Sequence, residues 1–148
     1  MASNTLEFSS ALRPADAMDL FVESAKHVQQ FDPVSVDAQA GEFKMRRGWG
    51  LTNPQDATIN FVRDEATGGC TISITISILA LADPIGFTKT SAERFKVAYE
   101  NHERAKADGT TPEPPPKDNK GMIVLGVSLG MVLLVTFCAC GGGILGNL

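Results

Sequence analysis

From Gly121 to Leu148 the chain has no Asp, Glu, Lys, Arg or His. All 13 Lys and Arg and all 17 Asp and Glu fall earlier, so the chain is two different materials joined end to end. Whole-chain averages such as 43% hydrophobic residues hide that division. Met122 to Cys140 is an unbroken run of apolar or weakly polar residues. As a helix rising about 1.5 Å per residue it would measure roughly 28 Å, close to the hydrocarbon thickness of a bilayer. Ser128 and Thr136 are tolerated there, because their hydroxyls bond back to helix carbonyls. A domain of the size left over could not cover so long a charge-free helix. The expectation is a single C-terminal transmembrane helix within 121–148.

Lys117 and Lys120 stand just before the span, and basic residues stay on the cytoplasmic side. The expected localisation is therefore single-pass and tail-anchored, with the N-terminal domain in the cytoplasm. The N-terminus, Met1-Ala2-Ser3-Asn4-Thr5, lacks a basic region leading into an apolar core, so no signal peptide is expected. Ala2 in place of Gly excludes N-myristoylation. Gly126 with Gly130, and Gly142 with Gly146, repeat at four residues. Such spacing leaves a smooth helix face that a second helix can approach closely. The partners expected are the bilayer and either another membrane protein or a second copy. Cys138 and Cys140 near the end of the span are expected as buried thiols, with acylation or pairing between chains as alternatives.

Residues 108–120 carry four prolines and no large apolar side chain. This Pro-rich linker cannot form a core and is expected as an extended polyproline II spacer, reaching at most roughly 40 Å at about 3 Å per residue.

Residues 1–107 contain 11 Lys and Arg against 14 Asp and Glu. That mild acidity argues against nucleic-acid binding, which draws most of its affinity from basic surface. A single cysteine in this part, Cys70, indicates no disulfide scaffold. Leu6 and Phe8 alternate with polar residues in a short strand, Asn4–Ser9. Ser9 or Ser10 is a candidate cap for a helix over Pro14–Gln30, with Met18, Phe21, Val22, Ala25 and Val28 on one face. Strand patterns follow at Val34–Val36, at Phe43–Met45, at Thr58–Arg63 and at Cys70–Leu81. In the last, Ile72, Ile74, Ile76 and Ile78 alternate with Thr71, Ser73, Thr75 and Ser77. Strict alternation implies one buried and one solvated face, hence an antiparallel sheet. Thr90-Ser91-Ala92-Glu93 reads as a capping box opening a last helix, roughly Ser91–Ala107. The fold class is α+β: a two-layer β-α-β-β-β-β-α domain with both helices on one face of the sheet.

This order resembles the helix-grip (START-like) lipid-binding proteins in miniature, and also small bacterial α+β domains whose central strands carry a basic-then-Trp-Gly stretch like Met45-Arg46-Arg47-Gly48-Trp49-Gly50. The resemblance covers residues 4–107 as a pattern of elements. It implies a lipid- or small-ligand-binding fold and transfers no binding residue.

No nucleotide-binding loop, nucleophile elbow, zinc-protease motif or CxxC pair occurs, so an enzyme is not expected. His27 and His102 each stand alone on a helix, without a second ligand at metal-binding spacing, and a packing or surface role is expected. Neither metal nor cofactor is indicated. Lys44, Arg46, Arg47 and Trp49 are the candidate contacts to anionic lipid headgroups, against the plainer reading of a solvated strand face. The function expected is a membrane-tethered, non-enzymatic interaction or accessory protein. The alternative is a membrane-anchored lipid- or small-ligand-binding domain.

Overall fold

The computed structural model describes residues 1–28, 30–48, 54–80, 83 and 86–116. All belong to one unit, Met1–Lys117. The expected span, its glycines Gly126, Gly130, Gly142 and Gly146, and Cys138 and Cys140 lie outside the described residues. Among the described residues no helix is long and apolar enough to cross a membrane.

The elements are β1 (Ala2–Ser10), α1 (Pro14–Ala25), β2 (Asp32–Asp37), β3 (Glu42–Arg47), β4 (Gln55–Arg63), β5 (Cys70–Ile78) and α2 (Phe87–Asp108). The order matches the expected one. The strands form one antiparallel sheet in the spatial order β1-β5-β4-β3-β2. β5 is buried on one side along its whole length: Ile72, Ile74 and Ile76 are fully buried and the intervening Ser and Thr half-buried. Its turn from β4 closes on Asp64, whose carboxylate accepts the Ala66 N–H and the Thr67 hydroxyl. Gly69 is required there, since a Cβ would collide with the Ser10 carbonyl oxygen.

Both helices cover the same face. α2 packs on β1 and β5, and α1 packs on β4 and against α2. Phe21 of α1 is the hub of the core. Its ring meets Phe61 at 5.7 Å and Phe43 at 6.3 Å edge-on, and stacks on Phe95 at 6.0 Å. Such pairs add about 0.5–1.5 kcal/mol each beyond burial. β2 lies beyond this cover, leaving Val34 and Val36 exposed at the sheet edge. Pro33, a register shift at Pro33/Ser35 and the flanking Asp32 and Asp37 discourage another strand from pairing there.

Strand limits differ from the expected ones by up to three residues, β5 ending at Ile78 instead of Leu81, and three expectations at the helices change. Ser10 does not cap α1. It closes β1, and its hydroxyl donates to Glu103 Oε1 at 3.0 Å while lying 2.7 Å from the Tyr99 hydroxyl. Pro14 opens α1 behind Arg13, and the helix ends at Ala25 instead of Gln30. The capping box at Thr90–Glu93 lies inside α2, which begins a turn earlier at Phe87. Asp83 reaches over to accept the Phe87 N–H at 2.9 Å and the Thr88 N–H and hydroxyl at 2.7 Å each. With that first turn already closed, Thr90 bonds the Gly86 carbonyl and Ser91 faces the core.

At its other end α2 stops on Gly109, in the left-handed region at φ 66°. Residues 110–116, expected within the spacer, run back along the helix. Asn101 donates to the Glu113 carbonyl at 2.9 Å and Arg94 Nε to the Pro116 carbonyl at 3.1 Å.

Candidate functional site

The period of two along β3 divides the basic stretch. Lys44 and Arg46 stand on the outer face, while Arg47 turns to the inner face and is 7% exposed. Trp49 lies outside the described residues. Lys44 Nζ is 2.7 Å from Glu42 Oε1, and Arg46 Nε donates to Asp56 Oδ1 at 2.6 Å. The bond to Asp56, and its charge, hold the Arg46 guanidinium above its ordinary range. The three described candidates for lipid contact therefore do not form one patch, and both outer cations are matched by carboxylates.

Arg46 belongs to a different arrangement. Strand register sets Arg46 opposite Asp56, Asp56 opposite Ser77, and Ser77 opposite Ser3, one polar row across the outer face. The Ser77 hydroxyl faces the Asp56 carbonyl at 3.5 Å. Beyond this row, at the end of the sheet where β3 leads to β4, a groove of about 470 Å³ opens. Arg46, Asp56 and Ser77 line its polar side; Met1, Pro54 and Leu79 line its apolar side. Met1 and Leu79 are 72% and 73% exposed, the two most exposed large apolar side chains among the described residues. The groove's volume lies within the roughly 300–1,000 Å³ range of small-ligand sites, and apolar side chains stand beside a few polar groups. An ion pair at its edge suits a polar head without net charge, because the carboxylate cancels the guanidinium. The sequence carried little sign of this groove. Its residues come from the start of the chain, from the β3–β4 stretch and from the end of β5, and only strand register unites them.

Between sheet and helices the apolar core is bounded by polar groups at two ends. At one, Gln55, 1% exposed, accepts the hydroxyl of Ser91 at 2.7 Å. At the other, Ser10, Tyr99 and Glu103 form a chain of hydrogen bonds beside Cys70, which pairs with Ser10 in the β1–β5 ladder. Since Ser10 gives its hydrogen to Glu103, Tyr99 donates to Ser10. Burial pushes the Tyr99 phenol up to about 12, and the charge of Glu103 adds to the rise. Burial, then the charge of Glu103, also raises the Cys70 thiol. A thiol held in its protonated form is a poor nucleophile.

His27 and His102, far apart in sequence, come together where the end of α1 meets α2. Their ring centroids are 4.8 Å apart. Nothing in the local spacing of either histidine signals this meeting, which depends on how the two helices pack.

No protein-family model matches the chain, and no curated protein matches it. Solved structures with a similar course of the backbone include TTHA0849 from Thermus thermophilus, with TM-score 0.47, 11% identity, and coverage of 74% of this chain and 100% of that one. Ara h 8.0201 gives TM-score 0.49 and 9% identity over 74% of this chain and 99% of that one. CV1439 from Chromobacterium violaceum gives TM-score 0.37 and 15% identity over 75% of this chain and 98% of that one. At these scores the likeness assigns neither ligand nor activity to this chain.

Proposed function

We propose that this chain is a membrane-tethered, non-enzymatic binding domain that takes a small amphipathic ligand into the groove beside Arg46 and Asp56. The groove carries the reading: about 470 Å³, with exposed Met1 and Leu79 facing a compensated ion pair. The ligand class follows from that contrast. An apolar chain covers Leu79 and Met1, while a zwitterionic or neutral hydrogen-bonding head meets Arg46 and Asp56. Tethering rests on the sequence, in the charge-free run after Lys120.

The test uses the full chain, carbon-13 labelled at Met, Ile and Leu methyl groups, in deuterated lipid nanodiscs. A short-chain zwitterionic phospholipid, dihexanoylphosphatidylcholine, is titrated below its micelle concentration. Saturable shifts of the Met1, Ile78 and Leu79 methyls are expected, and Leu79→Glu should weaken the binding at least tenfold. Shifts that do not saturate, or that fall on methyls away from the groove, defeat the proposal.

A second reading is an accessory subunit that docks on another membrane protein through its tail. The four-residue glycine spacing at Gly126 and Gly130 favours it. A stoichiometric protein partner recovered with the full chain in mild detergent, and lost from a 1–120 truncation, is its expected result.

A further inference from the structure

We propose that His27 and His102 form an exchangeable two-imidazole site for a borderline divalent metal ion, Cu²⁺ bound most tightly, bridging the end of α1 to the last turns of α2. His102 is oriented for this. Its Nδ1 lies 3.2 Å from the Ala98 carbonyl, an atom that only accepts, so Nδ1 carries the hydrogen. In the neutral ring the lone pair is then on Nε2. A backbone acceptor fixing the tautomer is a usual outer-shell partner of a metal-bound histidine. His27 is exposed and His102 half-buried, so both rings are open to an ion from solvent.

The ring separation fits one ion. A metal about 2.1 Å from a ligating nitrogen sits about 3.2 Å from that ring's centroid. With a ligating nitrogen of each ring turned toward one ion, centroids 4.8 Å apart would subtend about 97° at the metal. That angle lies between the right angle of a tetragonal Cu²⁺ site and the tetrahedral angle preferred by Zn²⁺. The nearby charges cancel and so do not oppose a cation. Glu23 stands one helical turn before His27, and its carboxyl is held below the usual range, first by its bond to Lys26 and more weakly by His102 and His27. The carboxylate is 3.1 Å from Lys26 Nζ and offsets that ammonium beside the histidines.

Among the described residues no third His, Cys, Asp or Glu joins the pair into a larger ligand group. Water completes the coordination, so the ion exchanges freely and is not a structural one. Two imidazoles without thiolate or further carboxylate select within the divalent series mainly by the Irving–Williams order, with Cu²⁺ ahead of Ni²⁺ and Zn²⁺.

The experiment loads the full chain in nanodiscs with one equivalent of Cu²⁺ at pH 7.5 and records pulsed electron paramagnetic resonance. The expected spectrum shows two coordinated imidazoles. His27→Ala should remove one of them and weaken binding at least tenfold; His102→Gln, chosen to keep a polar side chain on α2, should do the same. The loaded wild type should melt at a higher temperature, and the His27→Ala protein should not gain. A spectrum with one imidazole, affinity unchanged in either variant, or binding at millimolar concentration only would overturn the site. The His27 side chain is exposed in the turn after α1, so its variant folds independently of the outcome.

Discussion

Single residues decide how this domain tolerates polar atoms inside an apolar layer. Ser10 is the clearest case. It gives its hydrogen to Glu103 and accepts from both Tyr99 and the Leu12 N–H at 3.2 Å, so one hydroxyl serves three partners. Tyr99→Phe removes one of those bonds and leaves the ring in place against Phe8 and Phe21. A loss of about 1 kcal/mol is expected at neutral pH, read by urea unfolding. The same substitution changes the alkaline limb. Tyr99 titrates near 12 in the folded chain against an ordinary 10.0, so the folded state holds its proton longer than the unfolded one. The associated stability is complete below pH 10 and is lost as pH rises from 10 to about 12. Over that window the difference in unfolding free energy between wild type and Tyr99→Phe should shrink. A constant difference would show that the phenol is not the titrating group.

Elements are held by their ends as much as by their faces, and α2 shows why. Its first turn has backbone N–H groups without helical partners, and Asp83 satisfies two of them from outside the helix, across Gly86. Asp83→Ala is expected to cost about 1–2 kcal/mol by chemical denaturation. Burial raises the Asp83 carboxyl, but its bonds to the Thr88 hydroxyl, the Thr88 N–H and the Phe87 N–H outweigh that and bring it below the usual range. A depressed carboxyl contributes stability above its unfolded pKa, and loses it as pH falls through the folded value. Acid unfolding of wild type should thus begin from a larger advantage over Asp83→Asn at pH 6 than remains in strong acid. This cap also marks where the sequence was hard to read. Thr90-Ser91-Ala92-Glu93 has the local spacing of a capping box, but the operative cap lies well before Thr90, beyond a left-handed Gly86. By contrast, the alternation of Ile72–Ile78 and the spacing of Met18 and Phe21 report burial directly, because each position takes its face from local geometry alone. β3 was legible for the same reason, though the same alternation separates Arg47 from Lys44 and Arg46. The groove and the histidine pair were not, since each joins residues that only tertiary packing brings together.

At the scale of the molecule, the question is how an independently packed domain relates to a tail of opposite composition. Among the described residues the aromatic hub, both helices and all five strands lie within 1–116, so this core forms before the charge-free run begins. Residues 110–116 are already fastened to α2 by Asn101 and Arg94, which consumes part of the reach that an extended spacer would have given. Under the proposed tether, less than the roughly 40 Å of a fully extended linker would then be left between the domain and a bilayer. Truncation should separate the two materials cleanly. A 1–120 chain should keep the urea midpoint of the full chain, because no core residue is lost, yet remain in the supernatant when membranes are washed with alkaline carbonate. Under the proposed tether the full chain should stay in the pellet. In sealed inside-out vesicles, where the cytoplasmic face is outermost, added protease should digest residues 1–120 and leave a short protected fragment, as Lys117 and Lys120 imply. Release of the full chain by carbonate would remove the tether, while leaving the groove beside Arg46 and Asp56 to be judged by its own titration.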